Sequence, residues 1–276
     1  MILAAFLFAL QIESGAPSPD RDARRSSPPP ARPVRQLVVV DAGHGGPDRG
    51  MKGTTTARKR VEEADITLAV ARKVRDALKA RGIDVLMTRS TDTLIALRDR
   101  GRIANDAEAT LFLSIHVNAA NPRWRNPRTA RGFETYFLSD AKTEDERYVA
   151  EMENDADKFL GESVEAGDPL ALLLGDMLQN AHLRESSELA ATMQTALKPI
   201  HPSANDRGVK QAGFAVLIAS HMPAALIEIG FGSNPSEATW MSSPRGQQSI
   251  ADAIAAATGK YLVEYARRGG AANGGR

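Results

Sequence analysis

The sequence contains no cysteine, which excludes disulfides, thiolate metal sites and a cysteine nucleophile, and fits an oxidising compartment. It also lacks an excess of charge. With 35 Lys and Arg against 34 Asp and Glu, the net is +1, so no strong overall field points to nucleic acid or an anionic membrane. No apolar run is long enough to cross a bilayer, which takes about 20 residues; the opening MILAAFLFAL has ten. There is no internal repeat. What is present is an ordinary globular composition: 42% hydrophobic and 25% charged over 276 residues. That is enough for a sizeable core in one or two domains.

The apolar opening runs into Gln11-Ile12-Glu13-Ser14-Gly15-Ala16, small and polar as around a signal-peptidase site. Residues 1–15 are therefore expected to be a signal peptide, although the usual basic start is missing. Residues 16–35 hold six of the fifteen prolines, with Arg24, Arg25, Ser26 and Ser27, which is linker composition. The folded domain is expected over 36–266, and 267–276 as a flexible tail.

Within the domain, short β-branched runs alternate with helical patterns. The apolar run 37–40 predicts a buried strand. Ile66, Val70, Val74 and Leu78 recur every fourth residue, one helix stripe, with Gly82 as its stop. Further strands are predicted over 83–88, 111–117, 133–138, 214–218 and 224–229, and a closing helix over 249–265. This alternation implies an α/β fold, a mostly parallel mixed sheet flanked by helices. Residues 141–190 break the rhythm with thirteen acids and four bases, a net of −9 that leaves +10 on the rest. Fifty residues is too long for a simple connection. Tyr148, Met152, Ala156 and Phe159, then Leu170, Leu174, Met177 and Ala181, have helical spacing, so the segment is predicted to be a helical insertion with apolar faces.

Open α/β sheets place ligands beyond the carboxyl ends of their strands. There the first strand runs into Asp41-Ala42-Gly43-His44-Gly45-Gly46, the third into His116-Val117-Asn118, and the last into Glu228-Ile229-Gly230-Phe231. Glu63 lies just before the Ile66 helix, where a carboxylate favours the helix start. Two imidazoles and a carboxylate are a common catalytic zinc set with a position left for water. Each residue also has a plainer reading. Either histidine can be a loop or core residue, the Gly45-Gly46 pair a simple turn, and Glu228 half of a buried ion pair. Glu62 rivals Glu63 as a ligand. His182, His201 and His221 read as structural or surface residues.

The blocks VVVDAGHGGPDRG, EADITLAVARKV, LRDRGRIAN, LFLSIHVNAA, DRGVKQAGFAVL and MPAALIEIGFGSNPSE, in this order, resemble those of zinc-dependent N-acetylmuramoyl-L-alanine amidases of the cell-division type. The resemblance implies one Zn2+ per chain on His44, Glu63 and His116, with Glu228 as the catalytic glutamate. It also implies hydrolysis of the amide between N-acetylmuramic acid and L-alanine of peptidoglycan, outside the cytoplasm (periplasmic or secreted), with no nucleic acid and no stable membrane span after processing. Ala64 stands where the family usually has lysine. Asn118 and the loop 119–131, with Trp124 and Arg131, are candidates for contacts to glycan or stem-peptide carboxylates; a solvated basic surface is the alternative. A zinc peptidase cutting within the stem peptide and a non-catalytic wall-binding protein are the rival functions.

Related amidases carry a helical insertion that covers the zinc until an activator protein moves it, and 150–157 resembles that helix. In 100° steps from Met152, the apolar stripe spans about −40° to +80°. Glu153 lies at about +100°, at its edge, and Glu151 at about −100°. Glu153 is therefore expected to reach inward and block the zinc, and the helix 170–183 to offer an apolar face to the activator.

Overall fold

The computed structural model describes residues 36–55, 60–160, 169–203 and 205–269, with the backbone alone at 54–55, 157, 160 and 169–181. The expected signal peptide, the linker and most of the tail lie outside the described residues.

β1 (Leu37–Ala42) is buried at every position and leads to a loop and the hairpin β2 (Lys52–Thr55) and β3 (Arg60–Glu62). α1 (Glu63–Lys79) follows, and β4 (Asp84–Met87), α2 (Leu97–Asp106) and β5 (Leu111–Asn118) continue the alternation. β6 (Phe133–Leu138) precedes α3 (Glu144–Asn154), a 3-10 turn (Asp155–Leu160) and α4 (Pro169–Leu197). β7 (Asp206–Ala212), α5 (Ala215–Ile218), β8 (Ala224–Phe231), α6 (Pro235–Ser242) and α7 (Pro244–Arg267) complete the chain.

Six strands form one sheet in the order β4-β1-β5-β8-β6-β7. Neighbours are parallel except β6, which meets β8 antiparallel. The pleat sends alternate side chains to opposite faces. Val38, Val40, Leu113, Ile115 and Ile227 pack under α1, α4 and α7 as the larger core. Leu37, Val39, Phe112, Leu226 and Tyr136 join residues of α2, α3 and α5 in the smaller one. That second face changes character toward the carboxyl ends of the central strands. There it carries Asp41, Ser114, His116, Asn118, Glu134 and Glu228, all at most 3% exposed. α3 lies over this polar row.

Two expectations fail locally. Residues 215–218, predicted as strand, form α5, and the sixth strand is instead β7. Apolar content misled in both directions. β7 is an edge strand with most positions partly exposed, so its polar sequence DRGVKQA shows no buried run. Val216 and Leu217 are buried through a short helical turn. α4 also continues past residue 190, and Leu189, Ala190, Met193 and Leu197 sit in the larger core.

Candidate metal centre

His44 ends the turn after β1 with φ +59, a left-handed value that costs a non-glycine residue about 1–2 kcal/mol and is characteristic of strained functional positions. Two buried arginines hold this turn. Arg100 donates to Asp41 Oδ1 at 2.9 Å, to the Ala42 carbonyl at 2.8 Å and to the His44 carbonyl at 3.1 Å. Arg89 donates to the carbonyls of Ala42, Gly43 and Ala64. Asp41 also accepts from Thr88 and Ser114. Burial works against its charge, but Arg100 and these hydroxyls hold it below its ordinary range.

Glu63 is the first residue of α1 and fully buried. Its Oε1 accepts the Val117 amide at 2.7 Å and its Oε2 the Met51 amide at 2.8 Å, which aims the carboxylate between the two histidines. Gly50, at φ +60, makes this possible, since a Cβ there would lie 2.5 Å from both Glu63 Oε2 and His44 Cδ2. The rival Glu62 faces away and pairs with Arg49 at 2.8 Å. Asp48 holds His44 through Nδ1 at 2.7 Å, leaving Nε2 as the free nitrogen.

Glu153 of α3 completes the cluster. Its Oε2 lies 3.0 Å from His44 Nε2 and 2.8 Å from His116 Nδ1. Glu63 lies 3.1 and 3.2 Å from the same nitrogens. One donor atom from each of His44, Glu63, His116 and Glu153 falls within 4.8 Å of all the others, and all four residues are buried. None of these close approaches at Glu153 has hydrogen-bond geometry: among the described residues His44 Nε2, His116 Nδ1 and both Glu153 oxygens have no hydrogen-bond partner. Buried polar atoms that converge without bonding are costly by themselves. Two nitrogens and two carboxylates at this separation are a donor set that suits a tetrahedral divalent metal. Through the protein's own charges, burial opposes ionisation of the imidazoles. Glu63 and Glu153 outweigh it, raising His44 well above its usual range and His116 to about 10.

Glu228 stands beside His116 in the β5–β8 register. It is fully buried, and among the described residues both its oxygens lack hydrogen-bond partners and no ion pair reaches it. Burial, and then the Glu153 carboxylate, push it well above the usual carboxylate range.

Other expected residues sit differently. Asn118 is buried and donates to Glu134 Oε1 at 2.5 Å. Arg131 is exposed, on the rim of an open groove of about 490 Å³ with Trp124, Asn205 and Arg207. Glu151 is exposed. The buried side of α3 is Glu146, Val149, Ala150 and Glu153, so Glu153 lies near the middle of the buried face. Phe159, counted in the apolar stripe, is 43% exposed because the α-helix ends at Asn154. Sequence reading assigned no task to Asp48, Glu134 or Arg100. An aspartate four residues after a candidate ligand histidine was the one visible signal.

The chain matches the family described as N-acetylmuramoyl-L-alanine amidase over residues 38–260. It is 36% identical over 231 residues to the N-acetylmuramoyl-L-alanine amidase AmiA of Escherichia coli, covering 83% of this chain and 76% of that protein. It is 32% identical over 251 residues to the N-acetylmuramoyl-L-alanine amidase AmiC of Neisseria meningitidis, covering 89% and 58%. Among solved structures, an N-acetylmuramoyl-L-alanine amidase from Clostridium difficile superposes with a TM-score of 0.61 at 30% identity, covering 83% of this chain and 98% of that one.

Proposed function

The chain belongs to the N-acetylmuramoyl-L-alanine amidase family and is an enzyme acting on peptidoglycan, and we propose that it works with one zinc ion held by His44, Glu63 and His116 and with Glu228 as the proton carrier. The observation that carries this reading is the convergence of unbonded, buried His44 Nε2 and His116 Nδ1 on the Glu63 carboxylate. Zinc in such a set polarises a carbonyl and lowers the pKa of a water molecule. The chain's own residues do the rest. Asp48 fixes the His44 ring, as partners of ligand histidines generally do. The Val117 and Met51 amides hold Glu63. Glu228, beside His116 in an apolar strand, takes the proton of the attacking water and delivers it to the leaving amine of L-alanine.

Glu153 is the restraint. Its carboxylate would take the fourth ligand position, and its negative charge adds to the burial that already pushes Glu228 above the usual carboxylate range. α3 reaches this position on a capping box of Thr143 and Glu146, with Asn154 bonded to the Gly213 carbonyl and the Ala215 amide. A protein activator that draws α3 aside is the corresponding partner. The first half of α4, PLALLLGDML, has the apolar composition such a partner binds, although its side chains lie outside the described residues. The likeness to AmiA and AmiC together with this covered site favours wall splitting at division, in the periplasm or outside the cell, where the substrate lies. Among the described residues no helix is long and apolar enough to cross a membrane.

Metal analysis of purified protein and mass spectrometry of digested peptidoglycan test the reading. One zinc per chain and free lactyl ends on muramic acid support it. Shortened stem peptides with intact lactyl amides overturn it.

A further inference from the structure

β7 carries the block DRGVKQA, to which the chemistry above gives no task. In a regular strand Arg207 and Lys210, three apart, point to opposite faces. Here they do not. The register passes from Phe133↔Asp206 to Thr135↔Val209, so Glu134 of β6 faces two residues of β7, Arg207 and Gly208. Gly208 adopts φ +84, the left-handed value that a bulge of this kind asks of glycine. The extra residue returns both cations to the face that carries Glu228. Arg207 Nε and Lys210 Nζ reach the same atom, Oε2 of Glu134, at 2.7 and 2.6 Å. The other oxygen accepts from Asn118 Nδ2 at 2.5 Å and from the Tyr136 hydroxyl at 2.9 Å. Glu134 is thereby fully bonded as an anion, and two cations against it leave one positive charge over.

This surplus sits close to the chemistry. Glu134 pairs with Glu228 across β6 and β8, strands about 4.8 Å apart. The Arg207 guanidinium lies 5.4 Å from the Trp124 ring centre and 5.0 Å from that of Phe231. Between the cations and α3 is a cavity of about 10 Å³, roofed by Asp145, Tyr148 and Val149, and it adjoins the open groove that Arg207 also lines. A single cation would satisfy Glu134. A second one partly removed from water, with a strand distorted to aim it, calls for a second anion; Asp145 of α3 faces it while the helix covers the site, and among the described residues nothing on the sheet replaces it once the helix moves.

We infer that Arg207 and Lys210 form an anion subsite, covered by α3 in this arrangement, for the free carboxylate of the stem residue that follows L-alanine. The inference rests on the amidase reading. At about 3.3–3.6 Å per residue of extended chain, that carboxylate lies roughly 7 Å from the scissile amide; β7 is two strands from β8, and Arg207 and Lys210 reach back across one of them to Glu134. Guanidinium and ammonium groups are the usual partners of a carboxylate. The residue after L-alanine carries its carboxyl group either free or as a carboxamide, so the subsite would discriminate between the two forms.

The test uses three soluble muropeptides: one unmodified, one amidated only at the second stem residue, and one amidated only at carboxylates further along. Cleavage kinetics and calorimetric binding are measured with the zinc-loaded whole chain carrying Glu153→Ala, which uncovers the site, alone and combined with Lys210→Met, Lys210→Arg or Arg207→Gln. The expected result is a KM about tenfold higher for the second-residue amide, with kcat within about twofold, the scale of one lost charged hydrogen bond. Lys210→Met and Arg207→Gln should each erase that preference while melting normally, and Lys210→Arg should keep it. A preference that follows the distal carboxylates instead, or equal handling of all three peptides by the Glu153→Ala parent, overturns the subsite. So does an equal loss on all three peptides in both charge-removing variants, which would make the cations structural. If the peptides bind with the expected preference but none is cut, the subsite stands and the amidase mechanism falls; if none binds, both fall.

Discussion

Replacing Glu153 with alanine should raise the basal activity. Its side chain is 3% exposed and its Oε2 approaches His44 Nε2 and His116 Nδ1, at 3.0 and 2.8 Å. Losing one contact of a charged group removes about 1.5–3 kcal/mol. Spent on a covered–uncovered equilibrium, that is about 10–150-fold in the uncovered population. Much of what seats α3 survives the change. Val149 and Ala150 stay in the smaller core, Asn154 keeps its two bonds, and Trp124 still donates to Asp145 at 2.9 Å. The gain should therefore fall near the low end, about tenfold, and deletion of 143–183 should exceed it. The assay is release of soluble fragments from dye-labelled peptidoglycan, with bound zinc counted in the same samples. Glu151→Ala, at an exposed position of the same helix, is the control and should change nothing. If Glu153→Ala and the deletion both hold one zinc, melt cooperatively and remain no faster than wild type, α3 does not restrain this enzyme.

Glu228→Gln should keep the zinc and lose about 10²–10⁴ in rate; near-normal cleavage by that variant would mean another base. His116→Ala should lose both zinc and hydrolysis, and stoichiometric metal in it would remove His116 from the site. Asp48→Asn should weaken zinc affinity about 10–100-fold through the unfixed His44 ring, read by competition with a chelating dye. Metal-free protein should become less stable as pH rises. The two imidazoles are raised on folding, His116 to about 10 from 6.5. Their contribution is thus complete below 6.5 and lost as pH climbs through the folded values. Melting of chelator-treated protein from pH 6.5 to 10 checks this, and a flat or rising melting temperature would refute it.

Local rules were enough for the elements whose burial is uniform. The run 37–40 read as an interior strand, and Phe133–Leu138 emerged with the bounds predicted for it. His44, His116 and Glu228 were legible because they stand at the ends of such strands, where an α/β sheet opens to ligands. Ile66, Val70, Val74 and Leu78 fixed α1, and α1 in turn fixed Glu63 at its first turn. The edge strand β7 was hidden for the opposite reason: with a neighbour on one side only, it needs few apolar residues and announces no period.

The sequence by itself determined the alternation of strands and helices, the histidines and the glutamate at strand ends, and an acidic helical segment. Tertiary structure decided which carboxylates meet. Glu153 is 90 residues from Glu63 in sequence, yet both lie within 3.2 Å of the same nitrogens, and no helical wheel predicts that distance. A wheel ranks positions by apolar neighbours, so it put Glu153 at the edge of a stripe. The fold centres it because the buried face of α3 rests on a polar row. Likewise Gly208 reads as a turn residue until the β6–β7 register shows the bulge that turns Arg207 and Lys210 onto one oxygen of Glu134. Side-chain type is local, but the facing of one strand or helix against another is set by long-range packing, which single positions do not encode.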